Sequence, residues 1–249
     1  MRIDTNEIAN QTLSFAASFM KNHQSEKGVG PTYGYFTKHP VAPLNRKRLK
    51  ALLKAVESRS QNYDSKLRIL DLACGGGIIT CAMASLGHRV LGLDLSADEI
   101  RLARLFAQES KLNGIFQQCD LLKEGWEKSV EETLGGKPDV ITFAYALHHL
   151  PQLDLFLTRL QAWVTPGTVL IINEENPDSP LFQLKHRIRT WLQKDTEAEW
   201  HHTYLQWKQM LEAHGFETGP ILNGCDILPG LGNAYPEKAW SLVFTASRR

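Results

Sequence analysis

Through the middle of the chain, short apolar runs alternate with segments of helical periodicity. Leu67–Leu72, Arg89–Leu93, Ile115–Gln118, Val140–Ala144 and Thr168–Ile172 are runs of strand length and predict buried strands. Between them, Ile78–Leu86, Ala97–Ser110 and Leu153–Val164 repeat apolar residues every three to four positions and predict helices. Strand–helix–strand units at this spacing build an α/β fold, a parallel sheet with helices on both faces.

The two ends of the chain follow other patterns. Residues 1–60 are helical in character and form an N-terminal helical cap or lid, with 61–249 as the main domain. Ile8, Thr12, Phe15 and Phe19 share one face of the first helix, and Gly28–Phe36, rich in Gly and containing Pro31, is expected to break the helical run. After residue 176 the alternation stops, and an insertion over about 176–202 is expected to cover a substrate. It contains a basic amphipathic helix, Pro180–Lys194, with Leu181, Phe182, Leu184, Ile188, Trp191 and Leu192 as its apolar stripe. Lys185, His186, Arg187, Arg189 and Lys194 lie on the other side; they and the run Arg46–Lys50 are expected to be solvated faces, the alternative being attraction of an acidic substrate, carrier protein or membrane surface. A further helix over Thr203–His214 stops at Gly215. Extended segments near Ile221 and over Trp240–Thr245 predict an antiparallel hairpin at the sheet edge.

Composition narrows the partners. An apolar fraction of 43% with 22% charged residues suits a globular protein, and a net charge of +1 gives no general attraction to nucleic acid or acidic membranes. No apolar run approaches the roughly 20 residues of a transmembrane segment, and the acids and amides of the first 20 residues do not resemble a secretory signal. Cys74, Cys81, Cys119 and Cys225 form no CxxC pair and sit at no metal-ligand spacing, so reduced thiols, a cytoplasmic location and no metal are expected.

The candidate chemistry begins in the first strand-to-helix loop, Asp71–Gly77, the default ligand position in an open α/β sheet. Gly75 and Gly77 let a ligand approach the backbone and the following helix N-terminus. Asp94 ends the second strand, where an acid grips the two hydroxyls of a ribose; Ser96 and Asp98 are available to cap the next helix, which leaves Asp94 free. Asp120, after the third strand, is either a turn residue or the acceptor for an adenine amino group. A carboxylate inside the loop, Asp71, would repel a pyrophosphate but attract a sulfonium or an ammonium.

In order and spacing, ILDLACGGG at 69–77, VLGLDLS at 90–96, QQCDLL at 117–122, PDVITFAYALHHL at 138–150 and LQAWVTPGTVLII at 160–172 resemble the class I S-adenosylmethionine-dependent methyltransferases, in particular the ubiquinone- and menaquinone-biosynthesis group. LEAHGFE at 211–217 extends the likeness toward the sixth strand, so it covers roughly residues 66–220. The resemblance implies a Rossmann-like seven-stranded sheet, mostly parallel with a C-terminal antiparallel hairpin. It implies S-adenosylmethionine as cofactor, S-adenosylhomocysteine as product, and methyl transfer to an O, N or C atom of a small molecule. Asp71, Ala73, Gly75 and Gly77 would hold the methionine half, and Asp94 the ribose, with Leu95 beside the adenine. Asp120 and Leu121 would frame the adenine edge, and Ala144 and Tyr145 would lie near the sulfonium. Ala73 stands where this family usually has glycine, which is tolerable if its φ stays negative.

His148 and His149, after the fourth strand, are candidate general bases; Glu174 and Glu175, after the fifth, are candidates to accept a proton or orient the acceptor, as is His201 before the late helix. Tyr33, Tyr35 and Phe36 are candidates to close over the substrate from a flexible segment. The aromatic and aliphatic content of the presumed lid favours an apolar or aromatic acceptor; a homodimer is left open. Three alternatives are weaker. Tyr204 and Lys208 have the spacing of a short-chain dehydrogenase pair, but the glycine pattern of that family is missing. A nucleic-acid or protein methyltransferase would want a basic groove or an added module. A non-catalytic S-adenosylmethionine-binding regulator would keep the pocket and lose turnover.

Overall fold

The computed structural model describes residues 4–61, 66–191, 201–225 and 235–248. Leu192 and Lys194 of the expected basic helix lie outside the described residues.

Among the described residues, seven strands form one sheet: β1 (Arg68–Leu72), β2 (Arg89–Asp94), β3 (Ile115–Gln118), β4 (Val140–Ala144), β5 (Val169–Glu175), β6 (Phe216–Cys225) and β7 (Ser241–Arg248). Their order is β3-β2-β1-β4-β5-β7-β6, so the direction of winding reverses at β1, where such sheets bind ligands. β2 pairs in parallel with β1 and β3, while β7 is antiparallel to both β5 and β6, the expected C-terminal hairpin. β5 runs past its expected end. Pairing of Glu174 with Leu242 and Glu175 with Ser241 keeps both acids inside the strand instead of in the loop after it.

The chain divides into two compact units, Met1–Thr142 and Phe143–Arg249. In the first, α1 (Thr5–Asn22), α2 (Val29–Thr37) and α3 (Ala42–Ser60) precede the sheet, and α4 (Ile78–Ser85), α5 (Ala97–Ser110) and α6 (Trp126–Leu134) follow β1, β2 and β3. The Asp4 side chain caps α1 by accepting from the Asn6 and Glu7 amides. The buried face of α1 is Ala9, Thr12, Leu13, Ala16, Phe19 and Met20, so Ile8 and Phe15 stand at its margin and not its centre. Phe19, Tyr33 and Phe106 pack mutually in tilted and edge-to-face pairs at 4.8–5.6 Å between ring centres, in one core with Ile78, Ile100, Ala103 and Phe116. The N-terminal helices therefore pack on α4 and α5.

Gly28–Phe36 does not break the helical run; it is α2. Gly28 takes the left-handed conformation at the N-cap (φ +89°), and Pro31 falls in the first turn, where amides have no helical partner to lose. The basic run in α3 is not a wholly solvated face either. Arg48 is buried with Nη1 donating to Asn45 Oδ1 at 2.9 Å, and Arg46 Nε donates to the Phe36 carbonyl at 3.1 Å.

In the second unit, α7 (Leu153–Trp163), α8 (Pro180–Trp191) and α9 (Tyr204–Ala213) accompany the later strands. Thr203 and Gln206 form a reciprocal capping box at the start of α9. In the stripe of α8, Phe182 is buried but Leu184, Ile188 and Trp191 are exposed. Among the described residues, no helix is long and apolar enough to cross a membrane.

Candidate functional site

The first unit builds a glycine loop at the end of β1. Asp71 is 1% exposed. Thr80 donates to its Oδ2 at 2.6 Å and Thr142 to its Oδ1 at 2.7 Å. Burial pushes the Asp71 carboxyl up to about 6, against the lowering effect of the two hydroxyls. Each Asp71 oxygen thus accepts one threonine hydroxyl in a buried position. The loop itself is bound to the neighbouring strand by Cys74 N–H donating to the Leu93 carbonyl at 2.9 Å.

Gly75 and Gly77 both have left-handed φ, +50° and +76°. A side chain on Gly77 would also strike Phe116 and Ala103, so two separate constraints hold that position. Ala73 corrects the expectation of a negative φ: it stands at +54°. Only two other non-glycine residues among those described have positive φ, Lys111 at the end of α5 and Tyr145 just after β4. A helix end is the ordinary place for one; strand-end loops are where such strain accompanies function.

Asp94 is not free. Its Oδ2 accepts from Gly75 N–H at 2.8 Å and its Oδ1 from Ser96 N–H at 2.9 Å, so one carboxylate joins the glycine loop to the loop after β2. As expected, Ser96 is the cap of α5, accepting from Glu99 N–H at 3.2 Å. Each Asp94 oxygen keeps a second lone pair for a ligand hydroxyl. Next to it Leu95 is 66% exposed, an uncommon position for a leucine and a flat apolar rest for a ring. Asp120 closes a turn, accepting from Leu122 N–H at 3.1 Å, and Leu121 is buried beneath it.

The second unit holds a different cluster. Glu174, 2% exposed, accepts from the Ala146 and Leu147 amides at 2.9 and 2.8 Å through Oε1, and its Oε2 lies 2.6 Å from His148 Nδ1. Glu174 thus holds both the loop after Ala144 and Tyr145 and the His148 ring. The His148 ring lies 4.0 Å from that of His149, which is exposed, and 5.0 Å from that of His201. The next acid is also engaged. Glu175 Oε1 accepts from Trp240 Nε1 at 3.1 Å, Lys185 Nζ stands 3.5 Å from both oxygens, and His201 Nε2 is 3.9 Å from Oε2. His201 packs edge-on to Phe182 at 4.9 Å. Burial lowers the pKa of neighbouring His202 below the usual histidine value. Among the described residues no group of three or more His, Cys, Asp or Glu is arranged to hold a metal.

Tyr33 is the clearest correction. Expected at the substrate, it is fully buried and donates its hydroxyl to the Gly76 carbonyl at 2.8 Å. Tyr35, two residues on, is half exposed and rests on His39, as a helix places it. The sequence reading missed Thr142 and Glu99; an isolated polar residue in a strand or helix carries no periodic signal, and only the fold brings each to its partner.

A family model described as a methyltransferase domain matches residues 44–219. A ubiquinone biosynthesis O-methyltransferase of Chelativorans sp. (strain BNC1) is 36% identical over 106 residues, covering 43% of this chain and 39% of that one. One from Bordetella avium is 28% identical over 148 residues, 59% of this chain and 56% of that one. The chain thus spans about half the length, or less, of these two relatives. One from Brucella anthropi is 26% identical over 215 residues, 82% and 79% of the two chains. Among solved structures, magnesium protoporphyrin IX methyltransferase from Synechocystis PCC 6803 with bound SAH superposes with a TM-score of 0.62 at 17% identity, over 94% of this chain and all (100%) of that one. An S-adenosylmethionine dependent methyltransferase from Mesorhizobium loti gives 0.57 at 19%, over 82% and 98%. At such identities the likeness is one of fold.

Proposed function

The chain belongs to the family defined by this methyltransferase domain, and on that premise we propose that it transfers a methyl group from S-adenosylmethionine to a small, apolar or aromatic acceptor. The observation that carries the reading is Asp94. Its carboxylate is fixed by two main-chain amides and keeps acceptor capacity for two hydroxyls, beside the exposed Leu95. A ribose and an adenine need that pair.

The residues present fit the cofactor. Asp94 would take the ribose hydroxyls, Leu95 the adenine face, and Asp120 and Leu121 the adenine edge. Ala73, Gly75 and Gly77 would offer main chain to the methionine half, with Asp71 supplying negative potential; the family resemblance assigns Ala144 and Tyr145 to the sulfonium. When bound, the cofactor supplies a methyl group already activated on a sulfonium. The protein's part is to align the acceptor, exclude water and take a proton where the acceptor carries one.

For that last task the chain offers His148. With Nδ1–H donated to Glu174, a neutral ring carries its lone pair on Nε2, the tautomer a base requires. Among O, N and C acceptors this favours an ionisable hydroxyl, in keeping with relatives named O-methyltransferases. His149, His201 and Glu175 are substrate-side candidates. The net charge of +1 speaks against a nucleic-acid acceptor, and a sequence whose four cysteines form no CxxC pair is in keeping with a cytoplasmic location.

Titration calorimetry with S-adenosylmethionine and S-adenosylhomocysteine, followed by a methyl-transfer screen over phenols, catechols and aromatic acids, tests the proposal. Micromolar binding with transfer to a hydroxyl is expected. Binding without transfer to any acceptor would favour a regulatory protein, and no binding would end both readings.

A further inference from the structure

Gly76 is the loop glycine whose backbone does not need to be glycine, since its φ is not positive. Space demands it instead. A Cβ at this position would lie 2.4 Å from Thr32 Cγ2 and 3.1 Å from both Cζ and the hydroxyl oxygen of Tyr33. Of the two residues of α2 that crowd it, Tyr33 also holds it. The Tyr33 hydroxyl donates to the Gly76 carbonyl at 2.8 Å, with the Leu102 carbonyl at 3.2 Å as a second acceptor on α5.

Thr32 makes the matching connection. Its hydroxyl donates to Glu99 Oε1 at 2.8 Å. Ser96-x-x-Glu99 is a capping-box sequence, in which the glutamate would normally reach back to the serine amide. Asp94 already holds that amide, so Glu99 turns toward α2. The other oxygen of Glu99 is buried with no hydrogen-bond partner and stands 3.8 Å from where a Gly75 Cβ would be. The stretch Thr32-Tyr33 thus touches the glycine loop at Gly76 directly and at Gly75 through Glu99.

We propose that Thr32 and Tyr33 are positioning residues for the cofactor, setting the glycine loop in its ligand-ready position through Gly76 and Glu99. This rests on the reading of that loop as an S-adenosylmethionine site. It gives the N-terminal helices a role in binding without any contact between Tyr33 and the ligand.

The test is calorimetric titration of the whole protein with S-adenosylhomocysteine, alongside urea unfolding. Tyr33→Phe should weaken binding about three- to tenfold, the cost of one buried hydrogen bond transmitted to the loop. Gly76→Ala should weaken it further, and adding Thr32→Ser, which removes the methyl 2.4 Å away, should recover most of that loss. Failure of the unaltered protein to bind would overturn the cofactor reading itself. Binding that Tyr33→Phe leaves unchanged while the urea midpoint falls would make Tyr33 a core residue only and overturn the proposal. Should Gly76→Ala prevent folding, the Tyr33→Phe titration decides alone.

Discussion

Glu174 Oε2 lies 2.6 Å from His148 Nδ1, while Oε1 of the same buried carboxylate accepts the amides of Ala146 and Leu147. One side chain fixes both the path of the loop and the orientation of the ring. Two substitutions separate these tasks. Glu174→Gln can still accept both amides but turns an N–H toward Nδ1, which reverses the tautomer and moves the proton to Nε2. We expect turnover to fall by about 100-fold or more, the scale of a lost general base, with S-adenosylhomocysteine affinity unchanged. More acidic acceptors should lose less. Glu174→Ala should also lower stability by about 2–4 kcal/mol, since buried amides lose their acceptor. Equal turnover of the Gln variant and the parent in a single-turnover assay would remove His148 as the base.

Asp71 sets stability against affinity. Its folded pKa is raised to about 6 from an ordinary 3.8. The folded state therefore binds a proton more tightly than the unfolded state. The resulting stability is complete below pH 3.8 and is lost as pH rises through about 6; at neutral pH the buried charge is a net cost on the order of 2–3 kcal/mol. Asp71→Asn keeps partners for both threonines and removes the charge, so its urea midpoint at pH 7 should equal or exceed that of the parent. S-adenosylmethionine should bind the variant more weakly, and S-adenosylhomocysteine, which lacks the sulfonium charge, should lose less. Equal losses for the two ligands would mean that the field of Asp71 does not reach the sulfur.

The fold was legible where a periodic signal coincided with burial. β1 to β4 and α5 lie where the apolar runs place them, because each faces a core that accepts its pattern. α2 was not, because Gly28, Gly30, Pro31 and Gly34 read as breakers; burial of Val29 and Tyr33 against α1 and α5 outweighs their poor propensity. β5 outran its apolar segment because Ser241 supports it, donating from its hydroxyl to Asn173 Oδ1 at 2.8 Å. In the site, the positions of Asp71, Asp94 and Glu174 could be found from the sequence, as acids at strand ends. Their partners could not, since Thr142 lies 71 residues from Asp71 and Ala146 lies 28 from Glu174.

Ala73 permits a direct measurement of strain. A left-handed alanine costs about 1 kcal/mol relative to glycine, and its φ of +54° lies in that region. Ala73→Gly should raise the unfolding free energy by roughly this amount, offset in part by the freedom glycine adds to the unfolded chain. Cofactor affinity should stay within about twofold, because the main-chain path is already the one glycine prefers. A drop in stability would show that the methyl group makes packing contacts worth more than the strain.

The turn between α1 and α2 should respond to pH in the same direction as Asp71 but in a higher range. His23 Nδ1 lies 2.5 Å from Glu26 Oε1, and Nε2 lies 2.9 and 3.0 Å from the two oxygens of Glu109 on α5. Both ring nitrogens therefore face carboxylates, and hydrogen bonding to Glu109 and then to Glu26 raises the His23 pKa above 6.5. Arg101 Nη1, 3.0 Å from Glu26 Oε2, competes for the same acid. With the folded pKa raised, the contribution of the imidazolium to stability is complete below pH 6.5 and disappears as pH rises through the higher folded value. These groups lie near the surface, so salt should shrink the effect. Urea midpoints between pH 6 and 9 at low ionic strength should decline more for the parent than for His23→Gln, and the two curves should converge at the alkaline end. A constant offset across that range would mean that His23 contributes by packing against Phe19, 4.4 Å away between ring centres, and not by its charge.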